Sequence, residues 1–597
     1  MPEAPRHGRV YRSAHAHRTA REEQVVPLPP TAEGTGSGGD APGGDAPDGT
    51  GTSGQDASSG RPPDDLGLGS AAGHSAVMAL GSLISRLTGF LRTVIIAAAL
   101  GSTLVGNAYT TAQWFPGMVY ELLLGGILTS VLVPVLIRAR KRDPDGGEAY
   151  TQRLVTLAIF ALGITAALAV AGAPLLAWIS RTPTPGLVTA LSYLILPTIF
   201  FYGMAGLLMA VLNTRGHFAA PMWAPILNNL VVIGTFSLYL LIYGAERITP
   251  DQMTTGRVAL IGGGTLLGIV VQAAGLLPAL RRVGFRFRWR FDFRALRLGE
   301  LGRLGAWMFL YVGANQVGVL VVLSLINSAG DEAEAGILIY HNVFLLMMMA
   351  HGIVAVSIIM ALMPRLSAAI ADERRVDFLD DLSKGARMIL TVLTPVAVAY
   401  VVLAQPIATT LFQWGVFDAD AAQATAPVLM MAGLALIPFS LGQLQTFSFY
   451  AQQDTRTAAL VNVGSVTLRV AVQLGIFATF AVWFVAAGMM IGNAVSYVAT
   501  ALVMGWLLRR RLGPLGLRRI GATAGRVLLA ALGAALAGLL MLWLLPGGGD
   551  PTKIEAAVQL VVGGLAVGGT YVGVALLLGV REINEVLDLV RRKLLRR

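Results

Sequence analysis

The stretch SRLTGFLRTVIIAAALG (85–101) is apolar enough for a membrane, yet it contains Arg86 and Arg92 and no acidic residue. Apolar stretches of about 20–27 residues recur from about residue 76 to about residue 580, which is the length needed to cross about 30 Å of hydrocarbon. Only 13% of the 597 residues are charged and the mean hydropathy is +0.65, whereas soluble proteins carry about 25% charged residues. The composition therefore predicts an all-α polytopic membrane protein.

Weak internal repeats indicate two related halves. GGILTSVLVPVLIRA (125–139) resembles AVSIIMALMPRLSAA (355–369), and the turn NTRG (213–216) resembles QDTRT (453–457). The offsets of about 230–240 residues pass six spans, so both copies have the same orientation in the membrane. We predict about 14 transmembrane helices, in two pseudo-symmetric six-helix lobes plus two C-terminal helices. The predicted spans are 76–100, 114–137, 154–180, 187–212, 219–243, 258–280, 304–326, 337–364, 388–412, 427–450, 458–479, 485–508, 523–545 and 554–580.

Composition divides the chain into five parts. Residues 1–72 have a basic start followed by Gly, Pro, Ala, Ser and Asp, and predict a disordered cytoplasmic tail that is either a solvated extension or a binding segment for cytoplasmic or divisome partners. The other predicted parts are an N-lobe (73–282, helices 1–6), a basic cytoplasmic linker (283–303), a C-lobe (304–510, helices 7–12), and helices 13–14 with a basic C-terminal tail (511–597).

The distribution of basic residues predicts the orientation. The even-numbered connections between spans contain about 25 Lys and Arg, whereas the odd-numbered connections contain about 4. Cytoplasmic connections normally carry this excess. We therefore expect a multi-pass protein of a bacterial cell membrane with both termini in the cytoplasm. The net charge of +11 then reflects topology and contact with anionic membrane lipids rather than nucleic-acid binding.

The linker contains FRFRWRF (285–291), in which aromatic and basic residues alternate. Such a pattern suits either an RNA-binding surface or an anchor at the membrane interface. Its position between two spans favours the interfacial anchor. The chain has no cysteine, which excludes disulfides and thiolate metal sites, and we predict no metal site, no cofactor and a monomer.

The two arginines of the first span need a polar environment. Each costs about 2.5–3.5 kcal/mol at the centre of a membrane helix, so the helix is only marginally stable in lipid. Arg86 and Arg92 lie about 9 Å apart along a helix and about 120° apart around it, and both can border one wide cavity. Glu121, just inside the second predicted span, is the nearest acidic candidate within the spans, and one carboxylate cannot neutralise two guanidinium groups.

A cavity with net positive charge predicts an anionic substrate. Arginine is suited to bidentate recognition of phosphate, so Arg86 and Arg92 are the candidate diphosphate ligands. The alternative is that they pair with Glu121 and helix-end carbonyls and only stabilise the fold. Further candidates for lining or gating the cavity are Asn107, Asn228, Asn229, Gln316 and Arg469, although the amides are equally suited to hydrogen bonds between helices.

The run from Ser85 to Leu136 resembles the opening of the MurJ (MviN) family of lipid II flippases, which typically reads S-R-x-x-G-F-x-R. Further similar stretches are LNTRGHFAAPMWAPILNN (212–229), TLFQWGVFDADAA (410–422) and FYAQQDTRT (449–457). The resemblance implies the fold of the multidrug/oligosaccharidyl-lipid/polysaccharide exporters, with the last two helices forming a groove for a lipid tail. It implies movement of undecaprenyl-diphosphate-linked muropeptide from the inner to the outer leaflet by alternating access, with Arg86 and Arg92 holding the diphosphate.

The sequence departs from the family pattern at several positions. The family aspartate of D-A-F is Asn107, the P-N pair is Pro116–Gly117, and two arginines that follow are Tyr120 and Glu121. A third cavity arginine of the family, in the eighth helix, has no counterpart in YHNVFLLMMMAHG (340–352). These differences leave open a paralogue that moves another polyprenyl-linked glycan.

Three further alternatives are weaker. A membrane glycosyltransferase would need acidic residues for Mg²⁺, but Asp418 and Asp420 lie on the predicted outer side, so the chain is not expected to be an enzyme. A multidrug exporter for cations would need an acidic or aromatic cavity, and a scaffold would act through residues 1–72. The sequence contains no Walker A motif, which leaves the membrane potential or coupling to a monovalent cation at an unknown site as the driving force.

Overall fold

The structure is a computed structural model that describes residues 68–122, 133–296, 298–330, 336–514, 516–547, 551–585 and 587–588. The predicted tail lies outside the described residues, except that its last five residues are helical. The first helix begins at Leu68, eight residues before the predicted start of the first span.

The described residues form long α-helices and short 3₁₀ turns. The helices are α1 (Leu68–Leu100), α2 (Leu104–Glu121), α3 (Val133–Arg142), α4 (Glu148–Ala171), α5 (Ala173–Ile179), α6 (Pro185–Ile195), α7 (Thr198–Thr214), α8 (Ala219–Tyr243), α9 (Thr255–Ala274), α10 (Leu277–Arg282), α11 (Leu298–Ser328), α12 (Ile337–Ala371), α13 (Arg375–Val402), α14 (Ala404–Phe412), α15 (Ala419–Ala451), α16 (Thr455–Thr479), α17 (Val485–Leu512), α18 (Leu517–Leu544) and α19 (Lys553–Leu577). The prediction of an all-α polytopic protein is confirmed.

Within the described residues, 13 segments are long and apolar enough to cross a membrane. Large apolar side chains point outward from them, and Leu241, Trp543 and Leu577 are each at least 80% exposed. Such exposure is stable in lipid but not in water. The predicted span 114–137 is not among the 13, because residues 123–132 lie outside the described part of the chain.

The two six-helix lobes are related by the same order of helix packing. In the N-lobe, α1 packs on α8, α8 on α9, α9 on α6 and α7, and these on α2 and α4. In the C-lobe, α11 packs on α16, α16 on α17, α17 on α15, and α15 on α12 and α13. Each helix of the N-lobe therefore has the same neighbours as the helix at the equivalent position of the C-lobe, as the weak sequence repeats predict.

Local features repeat as well. The third span of each lobe is interrupted near its end, at Gly172 between α4 and α5 and at Leu403 between α13 and α14. The two similar turns fall after α7 and before α16, and in each one a residue has a positive φ, Gly216 at 78° and Gln453 at 59°. The two similar turns thus occupy equivalent places in the two lobes.

Helices α18 and α19 pack on each other and on the C-lobe through α13 and α14. Two ion pairs hold the segment that follows α19 against α13. Lys384 Nζ lies 2.8 Å from Glu585 Oε2, and Arg387 Nη1 lies 3.1 Å from Glu582 Oε1. The Glu582 side chain is only 6% exposed. The C-terminal pair of helices is therefore attached to the C-lobe rather than to the N-lobe.

Hydrogen bonds join the two lobes at the end of the bundle where α1 ends and α12 begins, which we call the joint end. There the Val416 N–H donates to the Ala98 carbonyl oxygen at 2.8 Å, and Arg247 pairs with Asp418 at 2.8 Å. A Cβ at Gly415 would overlap the Ala98 carbonyl oxygen, so this contact is one of backbone against backbone. The opposite end, which carries most of the basic residues, is called the basic end.

Candidate functional site

A cavity of about 590 Å³ lies between the lobes. Its wall comes from α1, α2 and α7 of the N-lobe and from α11, α12, α15, α16 and α17 of the C-lobe. Its charged and polar lining side chains are Arg92, Gln113, Trp114, Tyr120, Glu121, Tyr202, Tyr311, Asn315, Gln316, His341, Gln443, Thr446, Asn462, Ser465, Arg469, Ser496, Tyr497 and Thr500. Many charged and polar side chains thus line the cavity, although most of the residues in the surrounding spans are apolar.

Arg92 enters the cavity from α1. Its Nε is buried and has no hydrogen-bond partner, and its positive charge lies near the hydroxyl of Tyr202 and the ring of His341. No carboxylate oxygen of the described residues lies within 4.0 Å of its guanidinium. The guanidinium therefore keeps donors that an anionic ligand in the cavity could use.

Arg469 enters the same cavity from α16, on the opposite lobe. It is only 7% exposed, its Nη2 donates a long 3.4 Å hydrogen bond to the Asn315 carbonyl oxygen, and its Nε is unsatisfied. A Cβ at Gly318 of α11 would overlap this guanidinium, so glycine there makes room for it. In the described part of the chain no carboxylate pairs with Arg469, which leaves a buried positive charge without a counterion.

Glu121 lines the cavity at the end of α2. Among the described residues it forms no ion pair within 4.0 Å, so it does not form the predicted pair with Arg86 or Arg92. Among the described residues the cavity lining contains two arginines and one carboxylate, so its formal charge is positive when His341 is neutral. The structural alternative, in which Glu121 holds the arginines by ion pairs, is not observed in this part of the chain.

Arg86 is not among the residues that line this cavity. Its guanidinium packs against Gly352 of α12, where an added Cβ would overlap it. The reason is helical geometry, because six residues fall about 120° short of two full helical turns, so the two side chains point in different directions. With Arg92 facing the cavity, Arg86 faces α12, so the expectation that both arginines border one cavity holds for Arg92 alone.

The predicted amides separate into two groups. Gln316 lines the cavity, as does its neighbour Asn315. Asn229 instead donates to the Ser85 carbonyl oxygen at 3.1 Å and to Thr88 Oγ1 at 3.0 Å, and so joins α8 to α1. Asn228 packs against Gly268 of α9. Both residues of α8 therefore connect helices and do not line the cavity, because their side chains face neighbouring helices.

Asn107 belongs to the joint end rather than to the cavity. Its Oδ1 accepts the Leu338 N–H at 3.1 Å, and its side chain packs against Gly336, which precedes α12. An unpaired N–H in the first turn of a helix is commonly satisfied by an Asn or Asp side chain. Asn107 of the N-lobe thus caps a helix of the C-lobe.

Most of the polar side chains that the C-lobe contributes to the cavity wall were not predicted from the sequence, although Gln316 and Arg469 were candidates. Asn462, Ser465 and Arg469 lie on one face of α16, at intervals of three and four residues, and Gln443 and Thr446 do the same on α15. This helical spacing of polar residues within an apolar span was the available signal.

A second, apolar cavity of about 410 Å³ lies between α13, α15 and α18. Its lining contains aliphatic side chains such as Val398, Ile437 and Leu528. Pro438, inside α15, lines both this groove and the polar cavity. The polar and apolar compartments are therefore separated by a single helix, with Pro438 common to both.

No group of three or more His, Asp or Glu residues that could hold a metal ion occurs in the described ranges. Of the two aspartates considered for glycosyltransferase chemistry, Asp418 has other partners, because it pairs with Arg247 and caps α15 by accepting the Ala421 N–H.

The family model for "Lipid II flippase MurJ" matches residues 96–548. Among curated proteins, the "Lipid II flippase MurJ" of Burkholderia cenocepacia is 26% identical over 395 residues, which cover 64% of this chain and 74% of that protein. The "Probable lipid II flippase MurJ" of Synechocystis is 26% identical over 478 residues, or 79% of this chain and 87% of that protein.

Solved structures agree on the fold. The structure titled "Lipid II flippase MurJ, inward closed conformation" matches with a TM-score of 0.68 at 15% identity, covering 86% of this chain and 100% of that chain. An inward-facing multidrug transporter of the MATE family matches with a TM-score of 0.56 at 16% identity, covering 71% of this chain and 95% of that chain. The family match over residues 96–548, together with the two-lobed fold, establishes that this chain, a multi-pass transporter of the bacterial inner membrane and not an enzyme, belongs to the MurJ lipid II flippase family.

Proposed function

We propose that this chain moves lipid II, the undecaprenyl-diphosphate-linked muropeptide used to build peptidoglycan, from the inner to the outer leaflet. Family membership supports this activity. The structural support is that the guanidinium groups of Arg92 and Arg469 lie in one cavity and have no ion-pair partners among the described residues. A diphosphate offers several acceptor oxygens to such donors. The two arginines come from opposite lobes, so an anionic ligand that binds to both would contact both halves of the transporter.

The apolar groove fits the remainder of the substrate. A polyprenyl chain requires a long apolar surface, and the groove between α13, α15 and α18 provides one next to the cavity. Pro438 is the shared wall, so a diphosphate in the cavity and a polyprenyl chain in the groove would lie on either side of α15. We propose that the headgroup crosses the membrane through the polar cavity while the tail remains in apolar surroundings.

Alternating access is proposed to proceed by opening of the joint end. In the orientation predicted by the basic residues, the joint end faces outward, the basic end faces the cytoplasm, and both termini are cytoplasmic. The lobes are held together at the joint end, which corresponds to a state closed toward the outside. We propose that the membrane potential or a monovalent cation gradient drives the cycle without a bound cofactor.

A multidrug exporter of cations is disfavoured by the charge of the cavity. Cationic drugs would be repelled by Arg92 and Arg469, and Glu121 supplies only one opposite charge in the lining. The likeness to a multidrug transporter at 16% identity concerns the fold alone. A paralogue that moves another polyprenyl-diphosphate glycan would use the same two arginines.

The decisive experiment measures the accessibility of lipid II in the outer leaflet of cells that depend on this chain. We expect Arg92→Ala and Arg469→Ala to insert normally and to abolish outer-leaflet exposure, whereas Arg257→Ala, which removes an arginine near Tyr243 at the joint end, retains it. Normal exposure in both cavity variants would refute the diphosphate site. Failure of the wild-type chain to replace a resident lipid II flippase would instead point to another glycan.

A further inference from the structure

The segment 285–291, FRFRWRF, lies outside the transport cavity and forms a non-helical strip between α10 and α11. The rings of its alternate residues Phe287, Trp289 and Phe291 lie next to one another, as they do in an extended segment. Successive side chains of an extended segment point to opposite sides. The alternating sequence therefore gives the strip one aromatic face and one arginine face. We call this strip the aromatic–arginine strip.

The strip is held in place by hydrogen bonds to α4. The Arg290 N–H donates to Thr156 Oγ1 at 3.2 Å, and its Nε donates to Gln152 Oε1 at 2.8 Å. Gln152 Nε2 in turn donates to the Arg286 carbonyl oxygen at 2.7 Å. Gln152 is only 2% exposed, so the strip is anchored by a buried side chain rather than lying loosely on the surface.

The aromatic face continues an apolar stripe of α4. Ring centroids of Phe287 and Trp289 lie 5.0 Å apart, and Trp289 and Phe291 stack with an interplanar angle of 5°. Phe160 of α4 lies 6.1 Å from Trp289 and 5.8 Å from Phe291. Trp289 and Phe291 are 56% and 61% exposed, so large aromatic surface remains uncovered.

The stripe on α4 identifies what covers those rings. Phe160, Ile164 and Leu168, at intervals of one helical turn, are 46%, 61% and 68% exposed on a candidate membrane span. Such a stripe faces acyl chains. Rings that extend it beyond the span belong at the level of the lipid headgroups, where tryptophan and other aromatic side chains are enriched.

The arginine face has no counterion of its own. Arg286 and Arg288 are exposed, and no carboxylate of the described residues lies within 4.0 Å of them. The nearby Asp292 is paired with Arg153 at 3.4 Å. The two exposed guanidinium groups can therefore bind phosphate groups of a lipid surface.

We propose that the aromatic–arginine strip is a binding site for anionic phospholipids, with its rings at the acyl-chain boundary and Arg286 and Arg288 on the headgroup phosphates. An anionic partner complements the positive charge of the arginine face. A membrane fits better than a soluble acidic molecule, because the aromatic face continues the lipid-facing stripe of α4. The strip would hold the N-lobe at a constant depth in the bilayer while the cavity opens alternately to the two sides of the membrane.

The test uses the full chain in nanodiscs and brominated lipids that quench tryptophan. The chain has nine tryptophans, so the difference between wild type and Trp289→Phe isolates the signal of Trp289. We expect this signal to be quenched more strongly by brominated phosphatidylglycerol than by brominated phosphatidylcholine. In the double variant Arg286→Gln/Arg288→Gln the preference should disappear, with an affinity for phosphatidylglycerol lower by about fivefold per arginine.

The matched control removes two arginines elsewhere, Arg181→Gln/Arg257→Gln at the joint end, and should keep the preference. Equal quenching by both brominated lipids in the wild type would refute selection by charge. No quenching by either would show that the strip faces water and binds a soluble partner, and would also refute the proposal. Neither outcome depends on whether lipid II is the transported substrate.

Discussion

Substitution of Arg469 separates a binding role from a structural one. Arginine at the centre of a membrane helix costs about 2.5–3.5 kcal/mol. In return, the Arg469 guanidinium donates a long 3.4 Å hydrogen bond to the Asn315 carbonyl oxygen and forms a hydrogen bond with the side chain of Tyr497. A hydrogen bond of a charged group contributes about 1.5–3 kcal/mol, so the two bonds roughly offset the cost of the charge. We therefore expect Arg469→Met, which keeps much of the side-chain volume, to change the free energy of unfolding by no more than about 1–2 kcal/mol.

The same substitution should weaken ligand binding. A hydrogen bond between charged groups contributes about 1.5–3 kcal/mol, which corresponds to about 10–150-fold in affinity. The assay compares thermal unfolding of the purified protein with its affinity for undecaprenyl diphosphate. Arg469→Lys, which keeps the charge but loses the planar donor pair, should fall between wild type and Arg469→Met.

The opposite pattern would refute the reasoning. If Arg469→Met lowered the melting temperature markedly and left the affinity for the diphosphate unchanged, then Arg469 would be a structural residue that holds α16 against α11. The phosphate-binding role would then rest on Arg92 alone, and the cavity would lack a ligand from the C-lobe.

Three further outcomes follow from other contacts. Gly352→Ala should displace the Arg86 guanidinium from α12. We expect this variant to be expressed normally and to flip less lipid II, as measured by the accessibility of lipid II in the outer leaflet. Unchanged flipping would mean that the position of the Arg86 guanidinium is unimportant for transport. Asn107→Ala should weaken the joint by about 0.5–2 kcal/mol and raise amide hydrogen exchange in the first turn of α12, whereas Asn107→Asp should not; equal exchange in all three proteins would contradict the capping role. Burial raises the pKa of Asp454, but hydrogen bonds from Thr457 and Arg511 outweigh this effect and hold the pKa below the ordinary value of 3.8. The ionised carboxylate therefore stabilises the folded protein at neutral pH, and this stabilisation is lost as the pH falls through the lowered pKa. Asp454→Asn should therefore lower the melting temperature at pH 7 with a difference from wild type that shrinks in acid, and a difference independent of pH would be inconsistent with this origin.

The apolar runs and their charged connections were sufficient to predict the fold, because membrane helices must satisfy their backbone hydrogen bonds internally. The site was harder to predict. Arg86 and Arg92 form one motif in the sequence, yet the turn of the helix directs them to different neighbours. Asn228 and Gln316 are both amides within apolar spans, and only the packing of neighbouring helices decides that one faces α9 and the other the cavity.

Long-range contacts account for the remaining differences. The resemblance left the third cavity arginine without a counterpart in the eighth span, and the structure brings Arg469 of the eleventh span into the same cavity as Arg92. The sequence made Arg469 a candidate for lining a cavity, but the local sequence of neither arginine indicates that the two lie in the same one. The cap that Asn107 provides to α12 joins residues more than 200 positions apart, and no local pattern could reveal it.

The backbone contact at the joint end determines what must accompany its opening. The Val416 N–H and the Ala98 carbonyl oxygen satisfy each other directly, and the close approach at Gly415 leaves no side chain there to replace either partner. Separation in a dry interior would leave a donor and an acceptor unpaired, at a cost of about 1–3 kcal/mol for each group. Water must therefore enter as the lobes part, so the first species to pass this barrier is solvent rather than lipid.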